Sequence, residues 1–290
     1  MLIPAIPFLL MGSLDSCSKS SGYSGGGGGY GNNPPPVYTP PAVSIQLKTD
    51  SHFGSVLADG NGKTLYFFSM DANGSSACTT GCINIWPAVY IASPTLGTGL
   101  NAADFATITR SDGAKQTTYK GWPLYTYSGD VLVTDIKGDG FENIWYVAKP
   151  DYTVMLAYSQ LVGADGIMYD SAYKAGTGKT LYMTDAHGVT LYSFSNDKTG
   201  TNTFTKSDFS NDNIFPIAQI SAIQRVPSTL DKTAFSTTTV FLKTQLTYKG
   251  WPVYQFGGDS LLRGNTKGVS VPSPGVWPVF ELSSPAAPPY

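Results

Sequence analysis

Charged side chains are scarce: Asp, Glu, Lys and Arg make up 13% of the 290 residues, and Glu occurs only at Glu142 and Glu281. A chain so poor in Glu and Lys is not built from long amphipathic helices. The formal charge of -2 leaves no basic footprint for nucleic acid and no patch to hold an anionic membrane surface. Histidine is nearly missing, and His52 and His187 stand isolated, so no zinc set of paired Cys and His assembles. HExxH is absent, and the one Gly-x-Ser-x-Gly match, Gly22–Gly26, lies within a run of Gly and Ser that offers no strand-to-helix elbow. A glycosidase needs paired carboxylates, and no spacing among the Asp residues singles out a pair. These gaps argue against an enzyme, and no cofactor is expected. Aromatic residues are plentiful at 13%, with 32 Gly and 20 Pro. That composition suits a turn-rich β protein.

No apolar run is long enough to cross a bilayer. Residues 2–14 are apolar but short, and they end at Leu14-Asp15-Ser16-Cys17. The stretch 1–17 resembles a bacterial lipoprotein signal, in which Cys17 would carry the lipid, although no Lys or Arg precedes it and Asp15 lies inside the box. Residues 18–42 read as a Gly/Ser tether followed by a stiffer Pro-rich spacer. A tether after a lipidation site lets a folded part stand clear of a membrane. A bacterial envelope protein is expected, lipid-anchored in the outer membrane or at the cell surface. Of three cysteines, lipid on Cys17 leaves Cys78 and Cys82, whose CxxxC spacing suits a disulfide in an oxidising compartment and lacks the CxxCH of c-type haem.

A signature recurs four times from residue 43 onward: Tyr66, Phe68 and Asp71; Tyr125, Tyr127 and Asp130; Tyr192, Phe194 and Asp197; Tyr254, Phe256 and Asp259. Successive Tyr residues lie 59, 67 and 62 positions apart, and an aromatic (Trp86, Trp145, Phe215, Trp277) follows each by 20 to 23. Modules two and four share Thr-Tyr-Lys-Gly-Trp-Pro (118–123, 247–252), whereas one and three share Thr-Leu-Tyr after a Gly-bearing turn. The chain is thus a duplicated pair. Residues 43–150 and 175–282 would be the two repeat pairs, with 151–174 a connector and 283–290 a Pro-rich tail. The Yx(FWY)xxD signature, Ser-x-Cys-x-x-x-Cys-x-x-x-Trp-Pro (76–87) and Tyr-x-Gly-Trp-Pro-Leu-Tyr (119–125) together resemble the bacterial "secreted repeat of unknown function" family of predicted lipoproteins. Modules three and four depart from it, module three lacking the Cys pair and carrying Phe215 for Trp. The resemblance implies a location and a repeat, with no activity or catalytic residues.

Each signature reads as a β-strand whose Tyr and second aromatic share a buried face. The intervening Phe67, Thr126, Ser193 and Gln255 would then face water. Asn61-Gly62, Lys120-Gly121 and Lys249-Gly250 read as hairpin turns, and single helical turns are expected at Asn101–Thr107 and Ile217–Gln224. The class is all-β, antiparallel, with two β lobes or a small propeller. The four Asp residues could bind a cation or sugar hydroxyl, or cap their own turns through backbone N–H groups. Asp71–Ser75 and Asp135–Gly140 resemble calcium loops but lack the closing Glu. Hairpin tips at Tyr119, Trp122, Tyr248 and Trp251, with Phe67, are the candidate binding residues for carbohydrate, a small molecule or a protein. The bland alternative is that Trp122 and Trp251 plug module interfaces. The reading is an anchored binding or structural module; the runner-up is an envelope enzyme, or a redox or metal-binding partner, with its site between modules.

Overall fold

Every module supplies a hairpin, as the alternation of its residues demands. The computed structural model describes residues 44–290, so Cys17 and the tether lie outside the described residues. In module one, β1 (Ile45–Asp50) pairs antiparallel with β2 (Gly54–Asp59), and β3 (Tyr66–Phe68) carries the signature. Module two follows with β4 (Phe105–Thr109), β5 (Lys115–Tyr119), β6 (Trp122–Pro123) and β7 (Trp145–Val147). Module three pairs β8 (Val154–Val162) with β10 (Lys179–Asp185), and β9 (Met168–Tyr169) sits between them in sequence. Module four has β11 (Phe235–Val240), β12 (Lys243–Tyr248) and β13 (Trp251–Pro252). The class is all-β. Among the described residues the sheets are antiparallel and hold two or three strands, so the four-stranded blades of a propeller are not formed.

The modules of a pair are woven together. Strand β3 of module one pairs with β7 of module two, Phe67 opposite Tyr146 and Phe68 opposite Trp145. Reciprocally, Ala88 of module one bridges Tyr125 of module two. Between these, Tyr66 and Tyr125 exchange backbone hydrogen bonds of 2.8 and 3.1 Å, and Tyr192 and Tyr254 exchange two of 2.8 Å. The residue before each signature Tyr closes a cyclic triple of backbone bonds. Leu65 N–H donates to Leu57, Leu57 to Ala148, and Ala148 back to Leu65, at 2.8 to 2.9 Å. The same ring recurs at Leu124, Thr117 and Val89, at Leu191, Met183 and Phe280, and at Val253, Leu246 and Ala218. Each ring takes two residues from one module and the third from its partner. A lone module would therefore leave backbone donors and acceptors unpaired in its core.

The aromatic residues obey the same exchange. In the first pair, Tyr127 lies on Trp86 (4.4 Å between ring centres), Trp86 on Trp145 (3.8 Å, 2° between planes) and Trp145 on Phe68 (4.0 Å). In the second, the column runs Phe256, Phe215, Trp277, Phe194, with spacings of 4.6, 3.5 and 4.4 Å. Phe215 keeps the stack that Trp86 makes in module one. The signature Tyr rings meet these columns edge-on, as in Tyr125 on Trp145 at 87°, a geometry that suits the ring quadrupole.

Several expectations are corrected. Val154–Val162, within the span expected as a connector, is a nine-residue strand. Its Val-Met-Leu-Ala start is buried on both faces, and such a run carries no alternation to mark it. The Pro-rich tail packs on the fold, with Ala287 buried and Thr199 N–H donating to Pro288 O at 2.9 Å. At Ile217–Gln224 no helix forms, since Ala218 is committed to the backbone ring with Leu246 and Val253. The turn near Asn101 is a 3-10 turn at Ala102–Asp104, capped by the Asn101 side chain on Ala103 N–H. Phe67 and Ser193 are buried rather than wet: Phe67 packs against the Tyr119 and Trp122 rings of the neighbouring hairpin, and Ser193 is bonded to Pro278 O through its N–H and its hydroxyl. Lys120-Gly121 and Lys249-Gly250 do form left-handed turns, with φ of 49° and 79°, and 48° and 85°.

The Cys78–Cys82 disulfide is present, its Cα atoms 5.3 Å apart, and it leads into the single-turn helix α1 (Cys82–Ile85). Arg110 ties this loop to the sheet, donating to Cys78 O (2.8 Å), Ser76 Oγ (2.6 Å) and Gln116 Oε1 (2.9 Å). Module three has no disulfide; there Asn202 Nδ2 donates to Gln245 Oε1, the counterpart of Gln116, at 2.8 Å.

Candidate binding cleft

The signature Asp residues are clasps between modules. Tyr66 donates its hydroxyl to Asp130 (2.6 Å) and Tyr125 to Asp71 (2.7 Å); Tyr192 and Tyr254 bond Asp259 (2.6 Å) and Asp197 (2.7 Å) in the same crossed way. The other oxygen of each carboxylate accepts a backbone N–H farther along its own loop, from Ala77, Lys137, Thr203 and Lys267 at 2.7 to 2.9 Å. All four are buried, and both oxygens of each are engaged. The turn-capping bond is joined by a cross-module bond that strand spacing does not reveal. Asp135 is likewise occupied, by Val131 and Leu132 N–H and by Lys137 Nζ. Among the described residues no group of three or more His, Cys, Asp or Glu is placed to hold a metal ion.

Burial raises the Asp71 carboxyl to about 7, against the lowering influence of Ala77 N–H and the Tyr125 hydroxyl. Burial also raises Asp197 and Asp259. A raised folded-state value means that the folded chain holds a proton which the unfolded chain releases near pH 4. Stability from this source is complete below about pH 4 and is lost as pH rises through about 7. Wild type is expected to be more stable at pH 5 than at pH 8, by about 2–3 kcal/mol from Asp71 if the shift is fully expressed. Asp71→Asn keeps an acceptor for Ala77 N–H and should flatten that profile, as measured by chemical denaturation across the range. An unchanged slope would show that Asp71 is ionised throughout.

Arg263, in module four, binds three other modules at once. Its Nε donates to Ala72 O of module one (3.0 Å) and its Nη1 to Lys120 O of module two (3.2 Å). The guanidinium lies 4.5 Å from the centre of the Trp122 ring, and its Cβ and terminal atoms pack on Gly188 of module three. A Cβ on Gly121 would collide with Nη1. Among the described residues no carboxylate forms an ion pair with it, and Nη2 has no hydrogen-bond partner. Nothing in the signature points to Arg263.

The two Tyr-Lys-Gly-Trp hairpins share a backbone and differ in what covers them. Trp122 is buried, its Nε1–H donated to Ala186 O at 3.1 Å. Beside it Phe67 fills the space, 6.2 Å from Trp122 and 6.4 Å from both Tyr119 and Tyr152. Trp122, Tyr119 and Phe67 thus form a closed interface between hairpin and signature strand. Tyr248 is buried too, against Phe235 and Phe280. Trp251 is only half-buried. In the second pair the position of Phe67 is taken by Ser193, that of Tyr152 by Ser284 and that of Lys149 by Glu281.

The lost aromatic volume is a cleft of about 270 Å³ beside Trp251, lined by Tyr173, Ser193, Ser195, Glu281 and Ser284. Pro285 forms one rim and holds the indole through Trp251 Nε1–H at 3.0 Å. Burial raises the Glu281 carboxyl above its ordinary range. Its side chain makes one hydrogen bond among the described residues, accepting from Ser283 Oγ at 3.5 Å, and has no cationic partner there. The sequence signal for this site was available: the residue between the two aromatics changes from Phe67 to Ser193 while the facing Trp is kept.

No described helix is long and apolar enough to cross a membrane. No curated protein and no solved structure matches the chain. A family model described as a secreted repeat of unknown function matches twice, at residues 49–90 and 106–149. Both matches fall in the woven first pair, so the segments that carry its crossed Tyr–Asp clasps and shared aromatic column are similar to two copies of that secreted repeat of unknown function.

Proposed function

We propose that the chain is an exported envelope protein, anchored by lipid on Cys17, whose folded part is a ligand-binding module with its site at Trp251. The observation that carries the binding role is the contrast between the two halves. One fold holds a closed aromatic cluster at Trp122 and an open cleft at Trp251. A half-buried indole with a half-buried carboxylate beside it leaves polar and aromatic surface open to a ligand where the first pair fills the same place with Phe67. The resemblance of residues 1–17 to a lipoprotein signal, and the tether after it, support the anchoring.

Each part has its own test. Cys17→Ser should release the protein from the membrane fraction of the producing cell; continued sedimentation with membranes would refute lipidation at that residue. Trp86, Trp122, Trp145 and Trp277 are buried, so aqueous quenchers should reach Trp251 first. A bound ligand should protect Trp251 from acrylamide, and Trp251→Phe should abolish the protected component. If envelope glycans, small metabolites and peptides all leave the quenching unchanged, the binding role fails.

A further inference from the structure

We infer that the Trp251 cleft accepts one ring of a neutral saccharide, held on the indole with its hydroxyls directed to Glu281 and the serines. This rests on the binding role proposed above and names its ligand class. The cleft, at about 270 Å³, falls just below the range of typical ligand sites, about 300 to 1,000 Å³, and suits a single ring rather than a folded segment of protein. Its walls are of two kinds. Trp251, Tyr173 and the prolines at 278 and 285 give an apolar side, while Ser193, Ser195, Ser284 and Glu281 give a side of hydroxyls and one carboxylate. A pyranose has the same division, with C–H groups on its faces and hydroxyls around its edge.

Charge narrows the class further. No Lys, Arg or His lines the cleft, so a phosphorylated or acidic sugar would meet only the Glu281 carboxylate. An apolar ligand would strip water from that carboxylate and return no donor, which is costly for a buried charge. Two neighbouring sugar hydroxyls can donate to its two oxygens, and charge-assisted bonds of this kind are strong. Specificity then comes from polar groups that are left unpaired when the hydroxyls are absent.

The duplication supplies the control variant. Phe67 occupies this space in the first pair, so Ser193→Phe should refill the cleft with a side chain that the fold already accommodates. Glu281→Gln removes the charge and keeps the shape. The experiment titrates the purified full chain with the methyl glycosides of glucose, galactose and N-acetylglucosamine, and with glucuronate and tetramethylammonium. Trp251 fluorescence and saturation-transfer NMR report binding, and thermal unfolding confirms that each variant is folded. At least one neutral glycoside should bind with its face on Trp251, weakened tenfold or more by Ser193→Phe and by Glu281→Gln, while glucuronate should bind no better than background. Binding of tetramethylammonium alone, abolished by Ser193→Phe, would overturn the saccharide class and leave the cleft as a binding site. Silence from every probe, or glycoside binding that survives Ser193→Phe, would overturn the inference, and silence would count against the binding role too. A glycan polymer carrying the successful sugar, tested alongside the free glycoside, separates a cell-wall or capsule source from a soluble one: tighter binding of the polymer identifies the former and equal binding the latter, and either supports the class.

Discussion

Trp86→Ala is expected to lower the unfolding free energy by about 4 kcal/mol. Trp86 is 2% exposed and sits at the middle of the four-ring column, stacked on Tyr127 and Trp145 and met edge-on by Tyr66. Truncation removes the transfer energy of a full indole. It also leaves a cavity that cannot readily collapse, because Trp145 is held in β7 of the partner module and Tyr127 follows directly on the Tyr125 bridge. The contrast variant is Trp86→Phe, expected to cost only about 1 kcal/mol, since Phe215 fills the equivalent place and stacks on Trp277 at 3.5 Å. Urea unfolding of the two variants decides this. If Ala and Phe cost the same, the column is not the source of the stability. Because Trp86 and Trp145 belong to different modules, the loss should appear as one cooperative transition of the pair, with no separate melting of module one.

The signature Tyr and the second aromatic were legible as core because period-two alternation states which residues share a strand face, and the closing aromatic was legible as scaffold from its regular spacing after each Tyr. Hairpins at Lys120-Gly121 and Lys249-Gly250 were legible because a left-handed pair of residues favours Gly at its second position. What alternation cannot state is which strand lies opposite. The partner of Tyr66 is Asp130, 64 residues away and in the other module, and no local pattern distinguishes it from Asp71, five residues away. For the same reason β8 went unread: it is apolar on both faces and carries no signature. The candidate binding residues were half legible. The hairpin Trp pair was singled out, yet the decision between buried and open rests on the opposing position, Phe67 or Ser193, whose contact with the hairpin is a tertiary fact. Phe67 therefore marks the closed copy of the site, and the open copy lies where the same position has lost its ring.

Arg263→Ala is expected to cost about 3 kcal/mol and to loosen the junction between the two pairs. Two charge-assisted hydrogen bonds, to Ala72 O and Lys120 O, contribute about 1.5–3 kcal/mol each before the cost of desolvating the guanidinium. The contact with Trp122 contributes about 2 kcal/mol in a site so shielded from water. Against these stands burial, which pulls the guanidinium below the ordinary arginine range, together with an unpartnered Nη2. A half-buried cation without an ion pair still carries a desolvation cost, so the net is smaller than the sum of its contacts. Arg263→Met separates the contributions. It keeps most of the stem packed against Gly74 and Gly188 and discards both charge and donors. If desolvation nearly cancels the bonds, Met should restore most of the stability; if the bonds dominate, Met should be as poor as Ala. Arg263→Lys should fall short of wild type in either case, because a point charge cannot reach two carbonyls of different modules and cover an indole face at once. Quenching of Trp122 adds a second readout, since an opened junction admits acrylamide to a ring that is otherwise 1% exposed. Wild-type stability and wild-type quenching in Arg263→Ala would mean that the pairs are held by their apolar contacts alone, with the arginine an occupant of the junction and not its fastening.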